Sequence, residues 1–232
     1  MNAGLLSGVV GCGKTLTRSM FAGGLDRGRF CVAVVENSAF PLEQLCSLIL
    51  PQIMVDPVEV GSTFEALRLM QTVAERIWRD GRHLVLILDE AQDLPEETLK
   101  ELRWLTNLNG GGRALLSLIL VGQPELRALV RRFPPLDQRI SLRFHLPPLP
   151  REDVLGYLAH RCRVAGHPDG EIFAPETRDP IWLASGGIPR QINRLAKLAL
   201  EHSWVKGCRE ILPDSIEVVI RDLLRQEAPA LL

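Results

Sequence analysis

The sequence predicts an α/β fold, an αβα sandwich built on a five-stranded parallel sheet and followed by a small all-helical domain. Two observations carry this expectation. Over the first 150 residues, short apolar and β-branched runs alternate with longer stretches of helical periodicity, the rhythm of parallel strands joined by crossover helices. From Pro147-Pro148-Leu149-Pro150 onward the strand signals stop and only helical patterns follow, so this proline-rich stretch reads as a linker. The expected domains are residues 1–149 and 150–232.

Strands are expected at Leu5–Val10, Cys31–Glu36, Leu84–Leu88, Leu116–Val121 and Ile140–Leu146. A helix should begin at Lys14 behind a glycine-rich segment, and another should run from Pro41 to near Pro51. Ser62-Thr63-Phe64-Glu65 is a capping-box pattern, opening a helix with apolar Phe64, Leu67, Met70, Val73 and Ile77 that stops at Gly81. Pro95 fits a first helical position, ahead of Leu99, Leu102, Leu105 and Leu108 and a flexible loop Asn109-Gly110-Gly111-Gly112. The tail should hold helices over Arg151–Ala165, Pro175–Ser185, Pro189–Val205 and Pro213–Arg225.

Composition narrows the class. Of 232 residues 46% are apolar, enough for a sizeable core, and 27 basic against 28 acidic side chains remove the blanket electrostatic case for nucleic acid or a membrane surface. The charge is uneven, however: residues 51–100 are acidic and residues 101–150 basic, with Arg113, Arg127, Arg131, Arg132 and Arg143 forming a basic stretch that also reads as solvated helix charge. Five cysteines without a CxxC pair indicate neither a disulfide framework nor zinc, which suits a reducing, cytoplasmic setting. The longest apolar runs, LVLIL and LLSLILV, are too short to span a membrane.

Four segments carry chemistry. Gly8-Val9-Val10-Gly11-Cys12-Gly13-Lys14-Thr15 matches GxxxxGK[ST] between a strand and a helix, the phosphate loop of P-loop NTPases. Glycines there let successive peptide N–H groups face phosphate oxygens beside the helix dipole, Lys14 reaches the β and γ phosphates of ATP, and Thr15 ligates magnesium, with Cys12 a bystander. HLVLILDEAQDL is a buried strand ending in Asp89-Glu90, with Asp89 suited to the magnesium shell and Glu90 to orienting and deprotonating water; a solvated acidic turn is the alternative. LLSLILVGQPELRALV is a strand ending at Gln123, which would lie near the γ-phosphate or else cap the next helix. In SGGIPRQINRL, Arg190 falls in a helix's first turn, where the dipole disfavours a cation, so it should meet an anion, either nucleotide phosphate or a carboxylate of the main domain.

Taken with LRWLTN and LDQRISLRFHL, these segments resemble in order and spacing the AAA+ ATPases, and among them the ExeA/GspA-like group associated with bacterial secretion and with some mobile elements. The resemblance implies a five-stranded core with a helical lid, Gln123 as sensor 1, Arg190 as sensor 2, and Arg139 as an arginine finger offered to a neighbouring subunit. It implies magnesium-ATP hydrolysis in a homo-oligomer, driving assembly of a secretion or pilus apparatus or delivering a transposase to DNA. A nucleotide-dependent scaffold with little turnover is the competing expectation. Relatives carry a longer segment ahead of the phosphate loop that helps hold adenine, whereas seven residues precede Gly8 here. Secretion members continue into a membrane span and a peptidoglycan-binding region, and this chain is expected to lack membrane insertion.

Overall fold

The structure is a computed structural model and describes residues 2–54 and 60–227. The chain forms two compact units, Met1–Val10 with Lys14–Leu146, and Gly11–Gly13 with Pro147–Leu232.

In the first unit, β1 (Ala3–Gly8) leads to α1 (Lys14–Gly24), β2 (Phe30–Val35), α2 (Leu42–Ile53), α3 (Thr63–Arg79), β3 (His83–Leu88) and α4 (Glu96–Leu105). A two-stranded hairpin, β4 (Asn109–Gly110) and β5 (Arg113–Ala114), precedes β6 (Leu116–Gly122), α5 (Glu125–Arg131), α6 (Pro134–Asp137) and β7 (Ile140–Leu146). The main sheet is five-stranded in the order β2-β3-β6-β1-β7, with every pair parallel. Its order brings the ends of β1, β3 and β6 side by side, and in such sheets ligands gather beyond the carboxyl ends of the strands.

Strand β3, HLVLIL, is buried on both faces over Leu84–Leu88, as a central parallel strand must be. One sheet face carries the larger core, in which Leu45, Ile49, Met70, Leu99 and Leu102 of α2, α3 and α4 are wholly buried. The other face holds a smaller cluster of Val85, Ile87 and Val121 with Ala22 and Leu25 beside it. A concavity of about 590 Å³ lies on that face, lined by Leu6, Phe21, Leu25, Ile119, Leu142 and Phe144 among others.

The second unit contains α7 (Val154–Val164), α8 (Arg178–Ser185), α9 (Pro189–Val205) and α10 (Pro213–Glu227) around Val154, Leu158, Ile181, Ile192, Ala199 and Ile216. Gly187 is demanded by close approach: a Cβ there would lie 2.2 Å from the Leu149 carbonyl oxygen, and its φ is +71°.

Several boundaries differ from expectation. Strand β1 spans Ala3–Gly8 rather than Leu5–Val10, because Val9 and Val10 already belong to the loop and Val10 is half exposed. Helix α2 passes through Pro51 to Ile53, a proline in the last turn removing only one ladder donor. Pro95 stands at the N-cap position, one residue before its helix. Helix α4 ends at Leu105, short of Leu108. The stretch Asn109–Gly112, expected as a flexible loop, turns tightly between β4 and β5, with Gly111 at φ 57° and Gly112 at φ 77°, the paired positive values that a two-residue hairpin turn requires. Short 3-10 turns, Arg151–Asp153 and Pro175–Thr177, begin what the sequence suggests as continuous helices. The capping box holds in one arm: Ser62 Oγ accepts from the Glu65 N–H at 3.2 Å, while Glu65 reaches back to the N–H of Gly61 rather than of Ser62.

Candidate functional site

The phosphate-loop segment joins the end of β1 to α1. Gly11 and Gly13 adopt φ values of 87° and 100°, a left-handed backbone that side-chain-bearing residues rarely take. Gly8 has a different cause: a Cβ there would sit 2.8 Å from the Leu146 carbonyl oxygen, so the neighbouring strand β7 excludes a side chain. Lys14 is buried, and its Nζ donates to the carbonyls of Gly8 at 2.9 Å and Val9 at 3.3 Å, which holds the ammonium over the loop. Thr15 is exposed in the first turn of α1, and Cys12 is buried.

Asp89, the first residue beyond β3, is 2% exposed. Its Oδ1 accepts the Glu90 N–H at 2.9 Å, and its Oδ2 lies 3.1 Å from Nη1 of Arg18. Burial raises its carboxyl above the usual range, while the Glu90 N–H, Arg18 and Lys14 pull it down. Arg18 is also buried and reaches Glu36 at 3.0 Å through Nη2. Its Nη1 is near enough to Asp89 for an ion pair but is not aligned as a hydrogen bond.

Sequence reasoning missed Arg18. The available signal is its spacing: four residues after Lys14 it shares that residue's helix face, the one turned to the sheet, where an arginine needs a carboxylate. Replacing it by alanine leaves Asp89 buried without its cation. Arg18→Ala should therefore lower unfolding free energy by about 3 kcal/mol, read by urea denaturation, whereas Arg18→Lys should recover part of the loss. A loss below about 0.5 kcal/mol for the alanine variant would show that the pair does not hold Asp89.

Glu90 has φ 49° and ψ 40°, and it is the one non-glycine residue at positive φ among the described residues. That conformation costs roughly 1–2 kcal/mol and turns the side chain aside from the strand direction. The following 3-10 turn, Ala91–Asp93, brings Gln92 back to it, with Nε2 of Gln92 donating to Glu90 Oε2 at 2.8 Å. Gln92 is the second residue that sequence reasoning passed over. Gln123 follows β6, between the ends of β3 and β1, and its peptide N–H donates to Oε1 of Gln92 at 3.0 Å. Its side chain does not cap α5, which has Pro124 at the N-cap and no side-chain cap bond.

Arg139 is half-buried just before β7 and distant along the sheet from these groups. Its carbonyl accepts the Ala3 N–H at 3.2 Å at the start of β1, while Gly8 ends that strand five residues on, about 16 Å away. In the second unit, Pro189 and Arg190 open α9, and the Arg190 N–H donates to the Gly11 carbonyl at 3.2 Å. A Cβ on Gly11 would meet the Cβ of Arg190 at 2.8 Å, a further reason for glycine at that position. The Arg190 side chain is exposed and makes no ion pair to a described residue.

The oxygen donors Thr15 and Asp89 fit magnesium, which takes one or two protein oxygens and completes its shell with water and phosphate. Among the described residues no group of three or more His, Cys, Asp or Glu side chains could hold a metal by itself. Burial pushes the thiols of Cys31 and Cys162 up and that of Cys46 up to about 12, so these remain protonated at neutral pH. His83 and His145 are bonded to Ser117 and Ser7. Within the basic stretch, Arg132 is paired with Glu96 at 2.6 Å and Arg143 with Asp137 at 2.9 Å. No described helix is long and apolar enough to cross a membrane.

Residues 2–130 match the family described as AAA domain. Over 140 residues the chain is 39% identical to General secretion pathway protein A of Aeromonas hydrophila, covering 60% of this chain and 25% of that protein. It thus spans about a quarter of that relative's length. Among solved structures, Aeropyrum pernix ORC2 in its ADPNP–ADP complexes superposes with a TM-score of 0.71 at 21% identity, covering 100% of this chain and 63% of that one. The Thermotoga maritima RuvB Holliday junction branch migration motor gives 0.61 at 18% identity, covering 96% and 62%. At these identities the likeness is one of fold.

Proposed function

For a chain that belongs to the AAA domain family, we propose magnesium-dependent ATP binding and hydrolysis in an oligomeric assembly or switch ATPase of the ExeA-like type. The observation that supports this best is the convergence of Lys14, Asp89, Glu90 and Gln123 at the carboxyl ends of three sheet strands, β1, β3 and β6. Lys14 would grip the β and γ phosphates together with the N–H groups of Gly11, Cys12 and Gly13. Thr15 and Asp89 would hold magnesium, whose charge offsets that building on the phosphoryl oxygens. Glu90 would take one proton from the attacking water and orient it in line with the scissile bond, with Gln123 beside the transferred group. Arg190 would add a cation to the phosphates, and Arg139 would act on the nucleotide of a neighbouring copy.

For the cellular role, the 39% identity to a protein named for the general secretion pathway favours assembly of a secretion or pilus apparatus. A second reading, an ATP-dependent DNA-bound helper that delivers a transposase, draws on one feature of the first unit. Arg29, Arg82 and Arg113 line a concavity of about 460 Å³ together with Trp78, a setting suited to phosphates and stacked bases.

A steady-state ATPase assay with magnesium, with and without DNA, tests both readings. Turnover without DNA that is indifferent to its addition fits the assembly role. Stimulation by DNA, with DNA affinity that requires ATP and weakens as salt rises, fits the second. Binding of ATP without turnover in either condition leaves the scaffold and overturns the enzyme reading.

A further inference from the structure

The bond between Gln92 and Glu90 is one arm of a larger arrangement. The Gln92 amide uses all its strong hydrogen-bonding groups: Nε2 donates to Glu90 Oε2 at 2.8 Å and to Asp93 Oδ2 at 3.1 Å, and Oε1 accepts the Gln123 N–H at 3.0 Å. Its orientation is dictated by these neighbours, since turning the amide over would set an oxygen against two carboxylates and an NH2 against a peptide N–H. Two adjacent strands are tied together in this way just past their ends, β3 through Glu90 and β6 through Gln123.

A second, independent observation lies at Gly122. A Cβ there would fall 2.6 Å from Gln92 Oε1, 2.9 Å from a Leu126 methyl and 3.3 Å from the Gln92 peptide nitrogen, although the backbone at Gly122 is not in the left-handed region. Glycine at the end of β6 thus leaves room for the amide where it stands, and for the Leu126 methyl beside it.

We propose that Gln92 is a positioning residue for hydrolysis, setting the Glu90 carboxylate in a fixed place relative to Gln123. The inference rests on the reading of Glu90 as the group that handles water. Glu90 carries a strained backbone and its carboxylate is gripped through one oxygen, Oε2, by a neutral donor, which leaves Oε1 as the oxygen that could accept from a water. Without the grip, the carboxylate samples several rotamers, and a misplacement of about 1 Å is enough to cost on the order of a hundredfold in rate. Nucleotide affinity, which rests on the phosphate loop, is unaffected by that loss.

The test compares Gln92→Ala, Gly122→Ala and the double variant with the wild type, measuring kcat and the affinity for a fluorescent ATP analogue in each. Gln92→Ala should lower kcat ten- to a hundredfold with nucleotide affinity within about threefold. Gly122→Ala should do the same by displacing an intact Gln92, and it reports on the proposal even if Gln92→Ala does not fold. In the double variant the collision with Oε1 is gone and only the Leu126 methyl, the free end of a side chain, must still give way, so its kcat should stay within about twofold of Gln92→Ala instead of falling by the product of both effects. Wild-type kcat in Gln92→Ala, multiplicative losses in the double variant, or affinity falling in step with kcat would overturn the role. Glu90→Gln run in parallel separates the two levels: full turnover there removes the Glu90 reading and the proposal with it, while an inactive Glu90→Gln beside a fully active Gln92→Ala removes the Gln92 role alone.

Discussion

Lys14→Ala is expected to abolish ATP binding, and Glu90→Gln is expected to keep ATP while losing hydrolysis by a factor of about 100 to 10,000. The two substitutions act on different stages. Lys14 is buried with its ammonium held over the loop by the Gly8 and Val9 carbonyls, so the charge is in place before phosphate arrives. Alanine removes the charge that several phosphate oxygens share and leaves those carbonyls facing the same anion. Glu90 lies beyond β3 with Gln92 on one oxygen, and it is not part of the glycine-rich loop that would grip the phosphates. Glutamine preserves its shape but cannot take a proton. Equilibrium binding of labelled ATP and single-turnover hydrolysis measure the two effects separately, and equal loss of binding in both variants would contradict the division.

Arg139→Ala should lower turnover by on the order of a thousandfold while leaving ATP affinity within a small factor. Arg139 precedes Ile140, which pairs with Ala3 at the start of β1, whereas the phosphate loop leaves from the other end of that strand. The nucleotide of its own copy would therefore lie out of reach along the sheet, and under the proposed role the guanidinium would serve a neighbouring copy. A trans arginine acts on charge that develops in the transition state, which is why affinity is spared. Mixed with Glu90→Gln subunits, Arg139→Ala subunits should recover activity, since an intact Arg139 from one protein then meets an intact Glu90 on the other. Failure of every mixing ratio in proteins shown to co-assemble, or normal hydrolysis by Arg139→Ala alone, would make Arg139 a structural residue.

Much of this molecule is legible in the sequence wherever the cause is local. All five main strands are visible in the sequence, β7 as the alternation ISLRFHL, and β3 is nearly complete from LVLIL because a strand buried on both faces has no polar alternation to blur it. Lys14 stands out through the fixed spacing of GxxxxGK[ST], and Asp89 as the acidic end of a wholly apolar run. Features caused by contact between distant segments are not legible. Gly8 looks like a phosphate-loop glycine and is also one because β7 passes 138 residues later, at Leu146. Arg18 reads as an ordinary helix arginine until β2 and β3 bring Glu36 and Asp89 to it. Gln92 reads as a polar turn residue, and only the adjacency of β3 and β6 gives its carbonyl oxygen a partner. The glycines of Asn109–Gly112 suggest slackness, yet at this length the same freedom serves to close a tight turn.

The place of β1 in the sheet has a consequence for how the protein comes to exist. β1 emerges from the ribosome before either of its two neighbours in the described sheet, β6, which it pairs with through Leu118–Gly122, and β7, through Ile140–Leu146. While the ribosome adds the intervening chain, at about 5–20 residues per second, this strand has nothing to pair with for several seconds at least. Strands β2 and β3, by contrast, can meet as soon as the helices between them have emerged. The segment that carries Lys14 is made well before the strands that seat β1 beside it, and closing a loop of that length is an entropic step that slows folding. Until then the proposed nucleotide cradle is incomplete, so ATP binding would report on a sheet that has closed rather than on a loop that has formed.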